Sequence, residues 1–484
     1  MYDCTLNARS GKTDLTVVIV GHCDADVPAA VAAEASRMAS GDLSGPQQVL
    51  TEQGRFLLLK PSDKPWLGGG ESWRLLGQQI VAQLRAAKLT SALVPVTAEE
   101  TAVGHLAEGA LLGDYRYDVL RSGAAAKRPR LTLRLPGWAA AITRATRVAE
   151  AQNLARELAD GPGNRCDPRS FVSVARKALR GSGITVSVIS GVEALRTAGF
   201  PGLAQVGQAG RVPPALLSLR YRPTGKGKTK AKGKAKNKKT APVLALVGKG
   251  VTFDAGGISL KPGSEMWRMK ADMSGAAAVL GAMSHLARTQ PSLAVDAYIG
   301  LAENMPDAQA QKPGDIYQAR NGTYVHVDNT DAEGRLILAD LLTYAGERGA
   351  TSIVDLPTLT GACLVALGTN IAGLMGNDEA WLGALRTAGQ EAGEEFWPLP
   401  LYGEYRRSLD HPHADINNIG DRYGGTITAG LFLREFVDPK IPWAHCDIAG
   451  PAMQVKGWRY YAKGMTGFGT RTLIRLIETM AGNT

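Results

Sequence analysis

The segment Asn329-Thr330-Asp331-Ala332-Glu333-Gly334-Arg335 constrains this chain most, because it sets two carboxylates and a guanidinium on alternate residues. Read as a short extended stretch, it turns Asp331, Glu333 and Arg335 to one side, and the small residues between them leave room. Charged heads crowded into one cleft are costly unless cations and an anion neutralise them. The spacing therefore predicts a metal and anion site rather than a solvated turn carrying a surface ion pair.

A second cluster lies upstream, where residues 248–261 read GKGVTFDAGGISLK and Asp272 follows. A strand expected at 241–247 feeds this glycine-rich loop, and ligands gather in loops at the carboxyl ends of strands in open α/β sheets. Lys249, Asp254, Lys261 and Asp272 lie along or just beyond it, ahead of an alanine-rich stretch at 276–287 that reads as a helix. Singly, these residues read as surface lysines, an Asx turn and a helix N-terminal acid. Beside the heptapeptide they form one constellation of four acids and two lysines among glycines.

Both clusters resemble those of the leucyl aminopeptidases, which are cytosolic two-metal exopeptidases. The resemblance extends through 355–362, 414–420 and 443–450, and so covers the chain from about Glu150 to its end. It implies that Lys249, Asp254, Asp272, Asp331 and Glu333 are metal ligands, with Asp254 and Glu333 bridging two ions. It implies further that Lys261 polarises the scissile carbonyl and that Arg335 holds a bicarbonate ion acting as general base. Met269, Asn329, Thr358, Leu359, Gly361 and Ala449 are assigned to substrate binding, with Leu359, Ala332 and Gly334 also facing the anion through backbone groups. A homohexamer of two stacked trimers, its sites facing an interior space, is implied as well. Ala255 replaces a serine common in the family, His411 another, and 160–164 replaces a double-proline connection; none of these removes a ligand.

The chemistry also follows from the residue types. Two divalent ions about 3.5–4 Å apart can share one water, lower its pKa and stabilise the oxyanion formed when it attacks a carbonyl. Carboxylates accept zinc or manganese, and also magnesium or cobalt. A lysine ligates only as a neutral amine, so Lys249 needs its pKa lowered by desolvation and the metal's charge. An ion that takes a free α-amine restricts hydrolysis to peptide N-termini. A polarizable Met269 with small neighbours favours an apolar first residue such as leucine.

At 484 residues with 44% apolar content, the chain is expected to form two α/β domains. These are a small N-terminal α/β domain over 1–145, a connecting helix and linker over 146–169, and a larger α/β/α catalytic domain over 170–484 with a mixed, largely parallel central sheet. Strands are expected at 15–20, 91–96, 184–189, 215–221, 241–247, 294–301 and 351–356, and helices at 71–89 and 140–159.

One segment stands outside the family pattern. Residues 224–240, TGKGKTKAKGKAKNKKT, hold eight lysines, which account for all but +2 of the formal +10 charge. With no large apolar residue the tract cannot bury a core and reads as a solvated insertion between two strands. Contact with nucleic acid, anionic lipid or an acidic partner is the competing reading; the lack of aromatic interleaving disfavours single-strand binding. No apolar run approaches eighteen residues, which argues against a membrane span. Five scattered cysteines suggest reduced thiols and a cytoplasmic protein. Neither Gly11-Lys12-Thr13 nor Gly227-Lys228-Thr229 completes a phosphate loop. The histidines, including His411-Pro412-His413, read as packed or surface residues. The reading is thus an aminopeptidase acting on peptides, with a nucleic-acid-binding protein on the same fold and a dipeptidase as alternatives.

Overall fold

The computed structural model describes residues 3–23, 26–68, 70–123, 128–223 and 242–482, so the lysine tract at 224–240 lies outside the described residues. The chain divides into two units: Met1–Asn153 with Glu391–Gly393 and Gln454–Gly464, and Leu154–Gln390 with Glu394–Met453 and Met465–Thr484. The division falls inside a single long helix, Ala139–Asp160.

In the first unit β1 (Cys4–Asn7), β2 (Leu15–Ile19), β3 (Gln47–Thr51), β4 (Gly54–Leu59), β5 (Ser91–Leu93) and β6 (Leu131–Arg134) form one sheet in the order β1-β6-β5-β2-β4-β3. All neighbours run parallel except β3, which returns from β4 as an antiparallel edge. Val17, Ile19, Leu57 and Leu59 are buried beneath Leu76, Ile80 and Leu84, which recur every four residues along the helix Glu71–Ala86. The strand expected at 91–96 stops at Leu93, since Pro95 has no N–H to offer a ladder.

The second unit is built on eight strands: β7 (Thr185–Ser190), β8 (Ala215–Tyr221), β9 (Val243–Asp254), β10 (Ala294–Asn304), then, after two short strands β11 (Ile316–Gln318) and β12 (Tyr324–His326), β13 (Ser352–Leu356), β14 (Ile371–Gly376), β15 (Glu395–Pro398) and, following β16 (Ile416–Asn417), β17 (Trp443–Asp447). Their order is β15-β14-β17-β13-β9-β10-β8-β7. The middle four, β17, β13, β9 and β10, are mutually parallel, and β8 and β7 add antiparallel pairs at one edge. This is the mixed, largely parallel α/β sheet that the alternating pattern predicts. β10 and β13 are buried throughout, as strands covered on both faces must be.

The strand expected to end at Val247 continues to Asp254, paired with β10 as far as Asn304 and interrupted by one irregularity between Ala302 and Glu303. Lys249 is therefore a strand residue opposite Gly300, and the loop begins only at Ala255. The glycines that suggested a loop serve close packing: a Cβ added at Gly248 would lie 2.8 Å from Ala276 Cα in the helix Ser274–Thr289.

Because the middle four strands share a direction, their carboxyl ends meet at one edge of the sheet. Asp254 ends β9, Asn304 ends β10, Thr358 follows β13 and Asp447 ends β17. A three-stranded sheet, β11-β12-β16, pairs β12 with β16 in parallel and brings Asn418 beside His326, to whose carbonyl its N–H donates at 2.9 Å. Among the described residues no helix is long and apolar enough to cross a membrane. All five cysteines carry free thiols.

Candidate metal centre

Carboxylate oxygens of Asp254, Asp272 and Glu333, all buried, lie within 4.8 Å of one another at this edge. Lys249 Nζ stands among them, 2.8 Å from Asp272 Oδ1, 2.8 Å from Glu333 Oε1, and donating to the Thr358 carbonyl at 3.0 Å. Lys261 Nζ is 2.8 Å from Asp254 Oδ2 and also pairs with Asp331. All five proposed ligands and Lys261 thus converge, although they come from a strand, a loop, a 3-10 turn and a helix start. Gly334 makes the approach feasible, since a Cβ there would sit 2.8 Å from Lys249 Nζ.

The heptapeptide does not adopt the extended form that its alternating charges predict. Ala332 N–H donates to the Asn329 carbonyl at 3.1 Å, Glu333 has helical backbone angles (φ −75°, ψ −35°), and Gly334 opens the helix Gly334–Glu347. A turn leading into a helix converges the same side chains by a different route. Arg335, in the first helical turn, donates from Nη1 to the Asn418 carbonyl at 2.8 Å. The Asn329 side chain accepts from Asp331 N–H at 2.8 Å, so it shapes this turn.

Four polar residues to which the sequence reading assigned no role hold the arrangement. Asn304 Nδ2 donates to Asp254 Oδ1 at 2.8 Å and to the Thr330 carbonyl at 3.0 Å. Thr330 Oγ1 in turn donates to the Gly256 carbonyl at 2.7 Å. Asn418, wholly buried, accepts from Asp328 N–H and Asn329 N–H through Oδ1 and donates from Nδ2 to the Asn329 carbonyl at 2.7 Å. Asp447, also wholly buried, accepts from Leu359 N–H at 3.0 Å, Ala449 N–H at 3.1 Å and Thr360 Oγ1 at 2.6 Å.

The residues assigned to substrate are placed unevenly. Thr358 joins the centre directly, its Oγ1 donating to Asp272 Oδ1 at 2.8 Å, and Leu359 and Ala449 are joined through Asp447. Met269 lies half-buried in the 3-10 stretch that carries Asp272, and Gly361 is exposed at the start of the helix Gly361–Leu367. His445, read as packed or surface, is fully buried with Nδ1 2.6 Å from Asp355 Oδ1, while Trp443 Nε1 donates to Asp355 Oδ2 at 2.6 Å. His326 and His411 stack with ring centroids 3.8 Å apart and planes at 12°, so their in-plane lone pairs do not converge on an ion.

Burial and mutual repulsion govern the charges. Asp331 is pushed up to about 7 by desolvation and by Asp254, against the pull of Lys261. Burial, reinforced by Glu333 and Asp254, raises Asp272 well above the carboxylate range in spite of Lys249. Desolvation pulls Lys249 down, but Asp272, Glu333 and Asp254 outweigh it and hold its ammonium above the ordinary lysine value. Burial lowers Arg335 to about 10, partly offset by Glu333 and Asp447. Asp272 Oδ2 is buried without a hydrogen-bond partner; Glu333 Oε1 and Asp331 Oδ1 face ammonium groups without hydrogen-bond geometry, and Arg335 Nε is likewise unmet. Buried acceptors in this state, all hard oxygen donors, fit divalent cations.

Residues 153–474 match the cytosol aminopeptidase family, catalytic domain. The chain is 40% identical over 422 residues to a probable cytosol aminopeptidase of Aquifex aeolicus, covering 86% of this chain and 83% of that one. It is 42% identical over 434 residues to a probable cytosol aminopeptidase of Streptomyces avermitilis, covering 87% and 82%. Among solved structures it is similar to the bottromycin maturation enzyme BotP in complex with Mn, with a TM-score of 0.85 and 32% identity, covering 97% of this chain and 100% of that one. The chain belongs to the cytosol aminopeptidase family. It is accordingly a metal-dependent peptidase that acts at peptide N-termini.

Proposed function

We propose that this aminopeptidase removes N-terminal apolar residues, leucine foremost, from peptides, and that it does so with two divalent ions and a bicarbonate anion. The convergence of Asp254, Asp272 and Glu333 carries this reading. Lys249, Asp254, Asp272, Asp331 and Glu333 would hold the ions. Bound there, zinc or manganese, or alternatively magnesium or cobalt, supplies Lewis acidity that activates water and draws electron density from the scissile carbonyl. Manganese in the complex with BotP supports this choice of metals.

The chain's own groups do the rest. Lys249 would serve as a ligand only as a neutral amine, its proton displaced by the charge of an ion held beside it. Lys261, one-fifth exposed and poised between Asp254 and Asp331, sets an ammonium against the negative charge growing on the carbonyl oxygen. Arg335 presents a planar fork that suits bicarbonate, held for proton abstraction from the attacking water. Asp447 fixes the backbone of Leu359 and Ala449 along the side-chain pocket, where Met269, Thr358 and Gly361 favour an apolar residue. We place the enzyme in the cytoplasm as a homohexamer, an assembly that sedimentation can measure directly.

Asp331→Ala tests the reading. Hydrolysis of a leucyl amide should be abolished by a chelator in the native enzyme, restored by manganese or zinc, and absent in the variant; chelator-resistant hydrolysis in either protein would contradict it. Leucyl amide turned over no faster than glycyl or glutamyl amide would contradict the leucine preference alone.

A further inference from the structure

The first unit has a cavity of its own, lined by its residues alone. Its sheet is parallel apart from the edge strand β3, and loops at the carboxyl ends of parallel strands are where open α/β sheets present side chains to small ligands. At the carboxyl end of β4, next to β2, the structure has a cavity of about 340 Å³. That volume is at the lower end of the small-molecule range.

Its lining is specific. Lys60 and Lys64 come from the segment after β4, with Trp66 beside them; Gln79 comes from the helix Glu71–Ala86, and Trp458 and Arg459 from the segment Gln454–Gly464. No lining residue is acidic, and Asp63, in the same segment as the lysines, is not part of the wall. Trp66 is 68% exposed, a large aromatic face turned to solvent, with Lys64 Nζ 5.5 Å from its ring centre. Arg459 stacks 4.1 Å from the Trp458 ring centre and is tied at 2.8 Å to the buried Glu71. It adopts φ +52°, a left-handed conformation that side chains other than glycine tolerate at a cost and that collects at functional positions. Glu71 balances Arg459, so the two lysines give the pocket its positive charge. Two indoles offer stacking planes, two ammonium groups suit a phosphate as point charges, and Gln79 can read a base edge.

We propose that this cavity binds a mononucleotide, its base against Trp66 or Trp458 and its phosphate at Lys60 and Lys64. Adenosine monophosphate is the probe, titrated into the full chain by calorimetry and by quenching of tryptophan fluorescence. Trp66→Ala and Lys64→Gln alter exposed side chains and should each weaken binding about tenfold or more, while leucyl amide hydrolysis stays within about twofold of native. Adenosine and inorganic phosphate should each bind at least about tenfold more weakly than the nucleotide. Absence of binding at about millimolar nucleotide, binding unchanged in both variants, phosphate binding as tightly as nucleotide, or loss of binding in Asp331→Ala would each overturn the proposal. The last outcome would assign the nucleotide to the metal centre.

Discussion

Arg335 and Asn418 are joined by a 2.8 Å hydrogen bond from the guanidinium to a backbone carbonyl, and through it the helix that carries Arg335 is pinned to the segment after β16. The same asparagine uses its side chain to hold the turn that presents Asp331 and Glu333. One buried residue thereby sets the position of the acids and the guanidinium together.

Asn418→Ala should therefore be worse than an ordinary polar deletion. It strands two backbone N–H groups and a carbonyl in a dry interior, at a cost of about 2–4 kcal/mol. Affinity for manganese should fall about 10- to 100-fold, the usual effect of removing a group that orients ligands. Calorimetric metal titration with thermal melts checks both, and native metal affinity in the variant would refute the positioning role.

Glu333→Gln keeps shape and volume but removes a charge beside Lys249. Hydrolysis should drop on the order of a thousandfold, with the helix Gly334–Glu347 intact by circular dichroism. Metal content per subunit, measured after dialysis, should fall with it.

Asp447 separates charge from geometry. Asp447→Asn keeps an acceptor for Leu359 and Ala449 N–H and a partner for Thr360, whereas Asp447→Ala leaves both amides unmet and Thr360 with only Thr426 and Cys363 as partners. The Ala variant should raise KM for leucyl substrates about tenfold or more, and the Asn variant by only about twofold to threefold. Equal KM values for the two would show that the pocket does not depend on this brace.

Asp340 provides a pH signature away from the centre. Burial pushes its carboxyl up to about 7, against hydrogen bonds from Leu203, Arg320 and Gly202 N–H groups. Between the unfolded value of 3.8 and about 7 the folded protein keeps a proton that the unfolded chain has released. The stabilisation from this protonated group is thus complete at the acid end and is lost as pH rises through that window. Asp340→Asn, which cannot ionise, should gain stability relative to native between pH 5 and pH 8 in denaturant melts. A constant difference across that range would disprove the shift.

The lysine tract joins β8 to β9, which flank β10. Tyr221 and Val243 register with the adjacent residues Val295 and Ala294 of β10, so the ends to be bridged are two strand spacings, about 9.6 Å, apart. Deleting 224–240 leaves Arg222, Pro223, Ala241 and Pro242, enough extended chain for that gap. The deletion should leave leucyl amide hydrolysis within about twofold and remove any salt-dependent retention on duplex DNA. Loss of hydrolysis would tie the tract to the active enzyme.

Much was legible because it is local. The apolar runs at 215–221 and 351–356 became β8 and β13 with little change, and the amphipathic and alanine-rich stretches became helices. Glycine misled at 248 and 250, where tight packing, on a helix at 248 and on Gly300 and Leu301 of β10 at 250, and not a turn, explains it. The heptapeptide misled in conformation, since alternate charges suit a strand, yet the chain turns there and starts a helix.

Sequence by itself determined the chemical inventory: which acids, lysines and arginine can meet, the small residues that let them approach, and an alternation that demands a largely parallel sheet. Only the tertiary structure decided that Asn418, Asn304 and Asp447 brace the site, and that Asp355 and His445 pair beneath the sheet's surface. Those contacts join residues far apart along the chain, and strand register and helix seating determine which buried donor meets which acceptor. No local pattern encodes such a choice, because each partner is selected by the need to leave no polar group unmet in the assembled core.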